Sequence, residues 1–217
     1  KGDPSKPGNY RPITLMPVIG KMLAKIISNK LMEYCEREKV LSRGQNGFRW
    51  GRSCNQHIFT LIEICEKIKR ERGHGAYVFF LDLKKCFDRV PRNKIYEQLR
   101  AIGVDDNTIE ILKDMNDKTK SFIRTNKTLS KDPVQTERGV AQGDPAAPCE
   151  YIIFADMILK ELDAMGLAYR VSSKSDETAV LMYADDLVMI TDCPLKLQKL
   201  ITRCAEIMSS VEMEANV

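Results

Sequence analysis

Residues 178–190, TAVLMYADDLVMI, contain two apolar runs of strand length that flank the polar pair Asp185 and Asp186. The pattern predicts a β-hairpin whose turn carries two adjacent carboxylates. One interpretation is a polar turn between two core strands, because aspartate is common in turns. The other is a cation site, because adjacent carboxylates repel each other unless a hard divalent ion with oxygen ligands lies between them.

A third carboxylate, Asp82, lies near the end of the apolar run AYVFFLDL at residues 76–83. A strand that is apolar on both faces is typical of the centre of a sheet, and an aspartate buried there without a partner is costly. If this strand pairs beside the hairpin, the three acids converge within about 4–5 Å and oppose joint ionisation. Two Mg²⁺ ions would neutralise them and form a clamp for in-line phosphoryl transfer.

Charge is distributed unevenly along the 217 residues, although the net charge is only +4. Residues 1–56 hold 11 Lys or Arg and 4 Asp or Glu, whereas the rest of the chain holds 23 and 26. A basic N-terminal part followed by an acidic remainder indicates one surface for polyanions and another for cations. The alternative is a solvated basic face without a partner.

Cysteine and histidine usage argues against several kinds of site. The seven cysteines form no C-x-x-C pair, which disfavours a zinc site or a disulfide framework and fits a reducing compartment, cytosol or nucleus. With two histidines in the chain, a histidine-based hydrolase is disfavoured. No apolar run approaches the roughly 20 residues of a membrane span, and no signal peptide is visible. Because the chain begins without Met and ends within a charged helix-like stretch, we interpret it as a piece of a longer protein.

Hydrophobic periodicity and turn signals predict an alternation of helices and short strands. Helices are predicted over about 17–39, 54–72, 91–102, 105–117, 149–165 and 194–210. Strands are predicted at 76–83, 119–125, 132–138, 168–171, 178–182 and 187–190, with a hairpin turn through Asn126 and Lys127. Residues 1–16 are interpreted either as a basic loop or as a hairpin with a short strand at 11–15.

Two glycine-rich loops carry candidate ligand contacts. In SRGQNGFRWGRS, residues 42–53, glycine lets the backbone approach a ligand closely and arginine binds phosphate. Phe48 and Trp50 in this loop either stack on bases or pack into the core. In GVAQGDPAAP, residues 139–148, Gln142 is either an ordinary loop residue or a group presented to a ligand.

Three blocks in this order, FFLDLKKCFDRV (79–90), RGVAQGDP (138–145) and YADD (183–186), resemble the polymerase motifs A, B and C of reverse transcriptases. Two earlier blocks, NYRPITL (9–15) and GQNGFRWGRS (44–53), resemble the fingers motifs of the non-LTR (LINE-type) retrotransposon branch, with group II intron enzymes as more distant relatives. The resemblance runs over the whole chain. Five ordered blocks make a specific signal, whereas YADD alone would be weak.

The resemblance implies an α+β right-hand polymerase fold with fingers and palm, in which an antiparallel palm sheet packs on helices. It places the fingers at residues 1–75 and the palm at 76–217, with motif B over 138–148 and a fingers insertion around 91–137. Neither a thumb nor an endonuclease is expected within these residues.

The function implied by the resemblance is RNA-directed DNA synthesis, in which a DNA 3′-hydroxyl is extended with dNTPs by two-metal phosphoryl transfer. The implied cofactor is Mg²⁺, as two ions, with Mn²⁺ as a substitute. The implied partners are an RNA template, a DNA primer or target and dNTPs, without a membrane. Target-primed reverse transcription for retrotransposition is also implied, as is a nuclear location with a cytoplasmic phase in a eukaryotic host. The alternatives are an inactive or domesticated nucleic-acid-binding domain of the same fold and an RNA-dependent RNA polymerase.

Site residues follow from the same resemblance. Asp82 and Asp185 bridge the catalytic metals, Asp186 supports them, and the Leu83 carbonyl is a metal ligand. The nucleotide-binding candidates are Lys1, Arg11, Phe87, Gln142 and Gly143. The candidates for contact with template or primer are Arg43, Asn46, Phe48, Arg49, Arg52 and Tyr183. The chain departs from the family at Ala147, where many members have a serine before the proline.

The role of Phe87 can also be argued from chemistry. It lies five positions after Asp82, with a ring expected to face the sugar of the incoming nucleotide. A flat ring leaves no space for a 2′-hydroxyl and offers it no acceptor, so deoxynucleotide selectivity is predicted. RNA polymerases of similar fold tend to place an acid there. Here the acid is Asp88, one residue later, which is interpreted as a helix cap or as the partner of a basic side chain.

Overall fold

The elements of the chain alternate between helices and short strands. In the computed structural model, residues 3, 5, 6, 9–125, 128–170 and 179–216 are described. Within them the order is α1 (Val18–Arg37), α2 (Cys54–Arg72), β1 (Tyr77–Leu81), α3 (Cys86–Arg89), α4 (Arg92–Ala101), α5 (Asp106–Asp117), β2 (Arg124–Thr125), β3 (Thr128–Leu129), α6 (Ala147–Ala164), β4 (Val180–Tyr183), β5 (Asp186–Thr191) and α7 (Pro194–Ser210). No helix in these ranges has both the length and the apolar character that crossing a membrane requires.

The six predicted helices are confirmed, and α2 shows why their ends are predictable. At the start of α2 the Ser53 N–H donates a hydrogen bond to Gln56 Oε1 at 3.0 Å. At its end Gly73 takes a left-handed φ of 72°, which a residue without a Cβ adopts at little cost. The sequence pattern does not predict α3, because four residues are too few to show a helical period.

A three-stranded antiparallel sheet in the order β1-β5-β4 confirms the predicted hairpin and its pairing with β1. The register pairs Leu81 with Leu187 and Tyr183 with Asp186, so the polar turn lies at the same end of the sheet as the C-terminal end of β1. The prediction that residues 76–83 form a central strand is wrong for the described residues, because β5 is the middle strand and β1 lies at the edge. An apolar run does not by itself show how many neighbours a strand has.

The second predicted hairpin is shorter than expected. β2 and β3 pair antiparallel, and the predicted turn residues Asn126 and Lys127 between them lie outside the described residues. The second strand therefore begins before the predicted 132–138. That range contains Pro133, which lacks the N–H that a ladder of hydrogen bonds needs.

Two further strand predictions are not met. Residues 11–15 form no strand, in agreement with the loop alternative. Instead, the Thr14 N–H donates to the Gln142 carbonyl at 2.7 Å. In the predicted strand 168–171, residues 168–170 form no strand. Residue 171 belongs to the range 171–178, which lies outside the described residues. Segments of only four or five residues carry too little periodicity to identify a strand.

α6 runs through the core. Twelve of its eighteen residues are buried, and it packs against α1, α4, α7 and β4. A helix buried on nearly all sides must find partners for its polar side chains. The Glu150 carboxylate accepts a hydrogen bond from Asn116 Nδ2 at 3.0 Å, and Asp156 accepts one from the Ser42 N–H at 2.8 Å. Burial raises the pKa of Glu150 to about 7. Polar side chains of α6 therefore anchor α5 and the start of loop 42–53.

Candidate active site

Asp82, Asp185 and Asp186 lie at one end of the three-stranded sheet. The register pairs Leu81 with Leu187, so the next residues, Asp82 and Asp186, are brought together with Asp185 beside them in the turn. Burial raises the pKa of Asp186, and the charges of Asp185 and Asp82 raise it further. The three carboxylates are therefore close enough to interact electrostatically, as pairing of the strands predicts.

The three side chains form an open arrangement. Among the described residues, no group of three or more His, Cys, Asp or Glu side chains is gathered closely enough to hold a metal ion as it stands. Carboxylates repel one another when no cation lies between them, and their oxygens are the donors that Mg²⁺ prefers. The donor chemistry therefore fits a hard divalent ion that would draw these carboxylates together.

The turn that carries Asp185 is held by a buried glutamine from loop 42–53. Gln45 is fully buried, and its Oε1 accepts hydrogen bonds from the Ala184 N–H at 3.0 Å and the Gly47 N–H at 2.7 Å. Ala184 has a φ of 60°, a left-handed conformation that costs a residue with a Cβ about 1 kcal/mol. Gln45 therefore stabilises the strained backbone next to Asp185. The sequence gives no sign of this role.

Residues 44–47 run close beside the β4 hairpin, and the absence of a side chain at Gly44 and Gly47 permits this close approach. The Met182 N–H donates to the Gly44 carbonyl at 2.8 Å. A Cβ added to Gly47 would lie 2.2 Å from the Ala184 nitrogen, closer than real Cβ atoms approach any backbone atom. Glycine was expected here to let the backbone approach a ligand, but Gly44 and Gly47 approach the chain's own hairpin. The loop is therefore a support for the turn.

Cys86, at the start of α3, also contacts the Asp185 carboxylate. Its Sγ donates to Asp185 Oδ2 at 3.3 Å. Burial, together with the charge of Asp185, raises the pKa of the Cys86 thiol to about 12. The thiol therefore stays protonated at neutral pH and acts as a weak donor. A cysteine outside a C-x-x-C pair cannot be distinguished from an ordinary core residue by sequence, so this contact is not predictable.

The Phe87 ring packs between two aromatic neighbours. Its centroid lies 4.9 Å from that of Tyr151 in a stacked pair and 6.1 Å from that of Phe48 in an edge-on pair. Tyr151 is fully buried in α6, whereas Phe48 is 49% exposed. Phe87 therefore joins the core to the exposed side of loop 42–53. That its ring faces a nucleotide sugar stays a prediction.

Loop 139–148 is joined to the segment that contains Arg11. The Thr14 N–H donates to the Gln142 carbonyl at 2.7 Å. Gly143 has a φ of 113°, and a Cβ on it would lie 2.5 Å from the Thr14 carbonyl oxygen. Two candidate nucleotide-binding regions that are far apart in sequence are thus in direct backbone contact.

Asp88 is not the cap of α4. The N-cap residue of that helix is Pro91, and no side chain caps it. Burial raises the pKa of Asp88, while the positive charges of Lys85 and Arg11 oppose that rise. These charges favour the alternative interpretation, in which Asp88 interacts with basic side chains. Lys1, the other basic nucleotide-binding candidate, lies outside the described residues.

Residues 1–217 match the family model described as "Reverse transcriptase (RNA-dependent DNA polymerase)". The chain belongs to the reverse transcriptase family. It is similar to the Pol polyprotein of the type-1 retrotransposable element R2 of Popillia japonica, with 27% identity over 194 residues that make up 88% of this chain and 26% of the relative. It is also similar to the RNA-directed DNA polymerase of the mobile element jockey of Drosophila funebris, at 25% identity over 84% of this chain and 19% of the relative. The chain thus spans about a quarter or less of these relatives.

Solved structures with the same fold come from telomerase. The apo telomerase of Candida tropicalis superposes with a TM-score of 0.68 at 12% identity, covering 90% of this chain and 35% of that structure. Telomerase of Candida albicans, solved with a fragment of telomeric RNA, gives a TM-score of 0.62 at 12% identity, covering 92% and 33%. At this identity the likeness concerns the fold alone. The predicted α+β right-hand polymerase fold and the predicted non-LTR resemblance are both confirmed.

Within this reverse transcriptase chain, Arg49 is placed as a structural residue. Its side chain is 4% exposed, and its Nε and Nη2 donate to both carboxylate oxygens of Glu36 at 2.7 and 2.8 Å. Its Nη1 donates to the Ser42 and Gln45 carbonyls. These bonds leave little of the guanidinium for a phosphate, which corrects the expected nucleic-acid contact. Sequence cannot separate the two roles, because an arginine in a glycine-rich loop suits either.

Asn46 is likewise an unsuitable contact for template or primer. It is 4% exposed, and its backbone N–H donates to the Met182 carbonyl at 3.0 Å. The residue is therefore part of the support for β4 rather than of an open surface. Its position inside a polar, glycine-rich motif gives no indication of this burial.

The other predicted nucleic-acid contacts are accessible. Arg43, Phe48 and Arg52 are exposed. Tyr183, at the end of β4, is 36% exposed, and its ring lies 6.4 Å from that of His57 in an edge-on pair. These four residues stay candidates for contact with template or primer.

Leu83, the predicted carbonyl ligand, has a buried side chain. Its backbone forms an isolated antiparallel bridge with Ala215. The two hydrogen bonds of this bridge use the Asp82 carbonyl and the Lys84 N–H rather than the groups of Leu83 itself. A metal-ligand role for the Leu83 carbonyl is therefore compatible with this pairing and stays a prediction.

Proposed function

We propose that this chain is the catalytic polymerase region of a non-LTR retroelement protein, which extends a DNA 3′-hydroxyl with dNTPs on an RNA template. The observation that carries the proposal is that Asp82, Asp185 and Asp186 lie at the same end of the sheet and interact electrostatically. Membership of the reverse transcriptase family supports it, as does similarity to R2 and jockey proteins. Target-primed synthesis during retrotransposition is the proposed setting, with a nuclear location and a cytoplasmic phase in a eukaryotic host.

Reverse transcriptases use divalent metal ions, and we propose two Mg²⁺ ions here, with Mn²⁺ as a substitute. Asp82 and Asp185 would be the main residues that hold the ions, with Asp186 and the Leu83 carbonyl in support. Such ions, when bound, would lower the pKa of the primer hydroxyl and neutralise negative charge on the triphosphate. The chain's own residues hold the carboxylates in place. Gln45 fixes the backbone of the turn, and Cys86 donates to Asp185.

The proposed nucleotide site lies where Phe87, Arg11 and loop 139–148 meet. Arg11 is exposed, and its charge reaches Asp88, next to Phe87. We propose that Arg11 holds the triphosphate, with Lys1 as a second candidate, and that Gln142 and Gly143 pack on the nucleotide. The Phe87 ring would exclude a 2′-hydroxyl. Deoxynucleotide selectivity follows from this arrangement.

The proposed surface for template and primer uses Arg43, Phe48, Arg52 and Tyr183. Residues 1–56 carry an excess of basic side chains, which suits a phosphate backbone. We propose the fingers at residues 1–75, the palm at 76–217 and a fingers insertion around 91–137.

The test is extension of a DNA primer on an RNA template by the chain, with dNTPs and Mg²⁺ or Mn²⁺. Asp185→Asn is expected to lower the extension rate by at least about 100-fold, because it removes one charge from the metal ligands. Binding of the primer–template is expected to stay within about twofold, because polyanion binding depends on the basic surface. The matched control is Asp114→Asn, an exposed aspartate of α5, which is expected to leave extension unchanged.

Three outcomes would contradict the proposal. Equal extension by Asp185→Asn and wild type would refute the metal assignment. Binding of primer–template without extension under either ion would favour an inactive nucleic-acid-binding domain. Incorporation of rNTPs as efficient as that of dNTPs would favour an RNA polymerase.

A further inference from the structure

The segment after α7 folds back onto the strand end that carries Asp82. The Lys84 N–H donates to the Glu214 carbonyl at 2.9 Å, and the Asn216 N–H donates to the Asp82 carbonyl at 2.8 Å. Together with the bridge between Leu83 and Ala215, these bonds continue the edge of β1 as a short antiparallel pair. Residues 212–216, the tail segment, are thereby fixed in register with the first catalytic carboxylate.

The side chain of Asn216 makes a second contact with the same residue. Its Nδ2 donates to Asp82 Oδ2 at 2.9 Å. Among the described residues, no hydrogen bond is formed to the other oxygen of this carboxylate, Oδ1. The amide therefore engages one carboxylate oxygen and leaves the other available to a cation. Both residues are exposed, so core packing does little to fix the Asp82 side chain.

The tail segment is held by contacts that do not involve the Asn216 side chain. Glu214 accepts from Arg89 Nη2 at 2.6 Å and lies 3.4 Å from Lys84 Nζ. Glu212 forms an ion pair with Arg138. Because these pairs and the backbone bonds remain when the amide is removed, truncation of Asn216 tests the contact to the carboxylate rather than the position of the tail.

We infer that Asn216 is a positioning residue for Asp82, whose amide orients the carboxylate for divalent metal binding. A ligating carboxylate is commonly fixed by a hydrogen bond to its second oxygen, and loss of such a partner typically weakens metal binding by about 10- to 100-fold. This inference rests on the proposed function, because it takes Asp82 to be a metal ligand. Asn216 itself touches neither metal nor substrate in this assignment.

The experiment measures Mn²⁺ affinity of the 217-residue chain by electron paramagnetic resonance of free Mn²⁺. Asn216→Ala is expected to weaken binding by about 10-fold, because it removes the donor but keeps the backbone bond. Asn216→Gln keeps the amide on a longer side chain and is expected to stay within about threefold of wild type. The melting temperature of both variants is expected to match that of wild type, since the contact is exposed.

Two controls separate this inference from the proposed function. Asn107→Ala removes an exposed amide from α5 and is expected to leave Mn²⁺ binding unchanged. Asp185→Asn is expected to weaken it more than Asn216→Ala does. Wild-type affinity in Asn216→Ala, alongside weak binding in Asp185→Asn, would overturn the positioning role alone. Wild-type affinity in Asp185→Asn would overturn the metal site itself.

Discussion

The turn that carries Asp185 and Asp186 and the strand end that carries Asp82 are supported in different ways. The turn contacts the fully buried Gln45, the backbone of Gly47 and the buried Cys86 thiol. The Asp82 carboxylate is exposed, and its described hydrogen bond comes from an exposed amide of the tail segment. One half of the carboxylate site is therefore supported by buried groups, and the other half is held at the surface.

Because of this difference, substitutions in the two halves are expected to affect stability and catalysis to different extents. A change in the buried half disturbs the packing between loop 42–53 and the hairpin, so it is expected to lower both the free energy of unfolding and activity. A change in the exposed half removes one surface hydrogen bond and is expected to alter metal binding with little loss of stability. Three substitutions test the comparison, beginning with the one expected to have the largest effect.

Gly47→Ala is expected to have the largest effect. The added Cβ would lie 2.2 Å from the Ala184 nitrogen and 2.8 Å from its Cα, so the loop or the turn must move. We expect a loss of about 3 kcal/mol of unfolding free energy, near the upper end for overpacking, and loss of primer extension. Urea unfolding and the extension assay measure the two effects.

The matched control is Gly75→Ala, because a Cβ there meets no atom within 4 Å. It is expected to change stability by less than about 0.5 kcal/mol. If Gly47→Ala unfolds and extends primer like this control, the loop does not determine the position of the turn.

The same loop shows what the sequence can and cannot predict. The pairing of the hairpin with β1 is predictable, because apolar runs of strand length identify strands and place their polar ends together. The bounds of α2 are predictable because Ser53 and Gly73 lie at its ends. The role of Gln45 is not, since its partner Ala184 lies 139 residues away. Contacts at such separation depend on packing, which local propensity does not encode.

Arg49 is a residue for which the sequence predicts the wrong role. Its residue type and its glycine-rich surroundings favour phosphate binding, and the sequence offers no competing partner nearby. The actual partner, Glu36, belongs to the last turn of α1, and the pair forms only because the chain reverses between them. The residue type of a side chain therefore does not predict its role when burial gives it a partner within the chain.

Gln45→Met is expected to have an intermediate effect. Methionine fills a similar volume but accepts no strong hydrogen bond, so the N–H groups of Ala184 and Gly47 lose their partner. We expect a loss of about 2 kcal/mol in unfolding free energy, the typical penalty for unsatisfied buried donors. Extension is expected to slow by about 10-fold or more, because Asp185 follows the strained residue directly.

Gln198→Met is the control, since Gln198 is exposed on α7 and no effect on either measurement is expected. A Gln45→Met variant that loses stability while it extends primer at the wild-type rate would show that the turn keeps its position without this side chain. The division between a buried and an exposed half would then describe folding but not catalysis.

Phe87→Ala is expected to have the smallest effect on stability. It tests the comparison directly, because the Phe87 ring lies between the buried and the exposed half of the carboxylate site. It follows Asp82 by one short turn, yet it stacks on Tyr151 in the core and contacts the exposed Phe48. Since Phe87 is only partly buried, we expect a loss of about 1 kcal/mol in unfolding free energy. The preference for dNTPs over rNTPs is expected to fall by about 10- to 100-fold, the range that an apolar surface achieves against an added hydroxyl.

The control for Phe87→Ala is Phe80→Ala, which removes a ring that is 66% exposed on β1 and is expected to leave sugar selectivity unchanged. Competition between dNTPs and rNTPs in the extension assay measures the ratio for both variants. If Phe87→Ala loses stability but discriminates between sugars as well as wild type does, the ring belongs to the buried half alone. Selectivity would then have to come from another group near the triphosphate. If instead Phe87→Ala loses selectivity with little loss of stability, the core holds the ring in place and the outer face of the ring acts on the nucleotide.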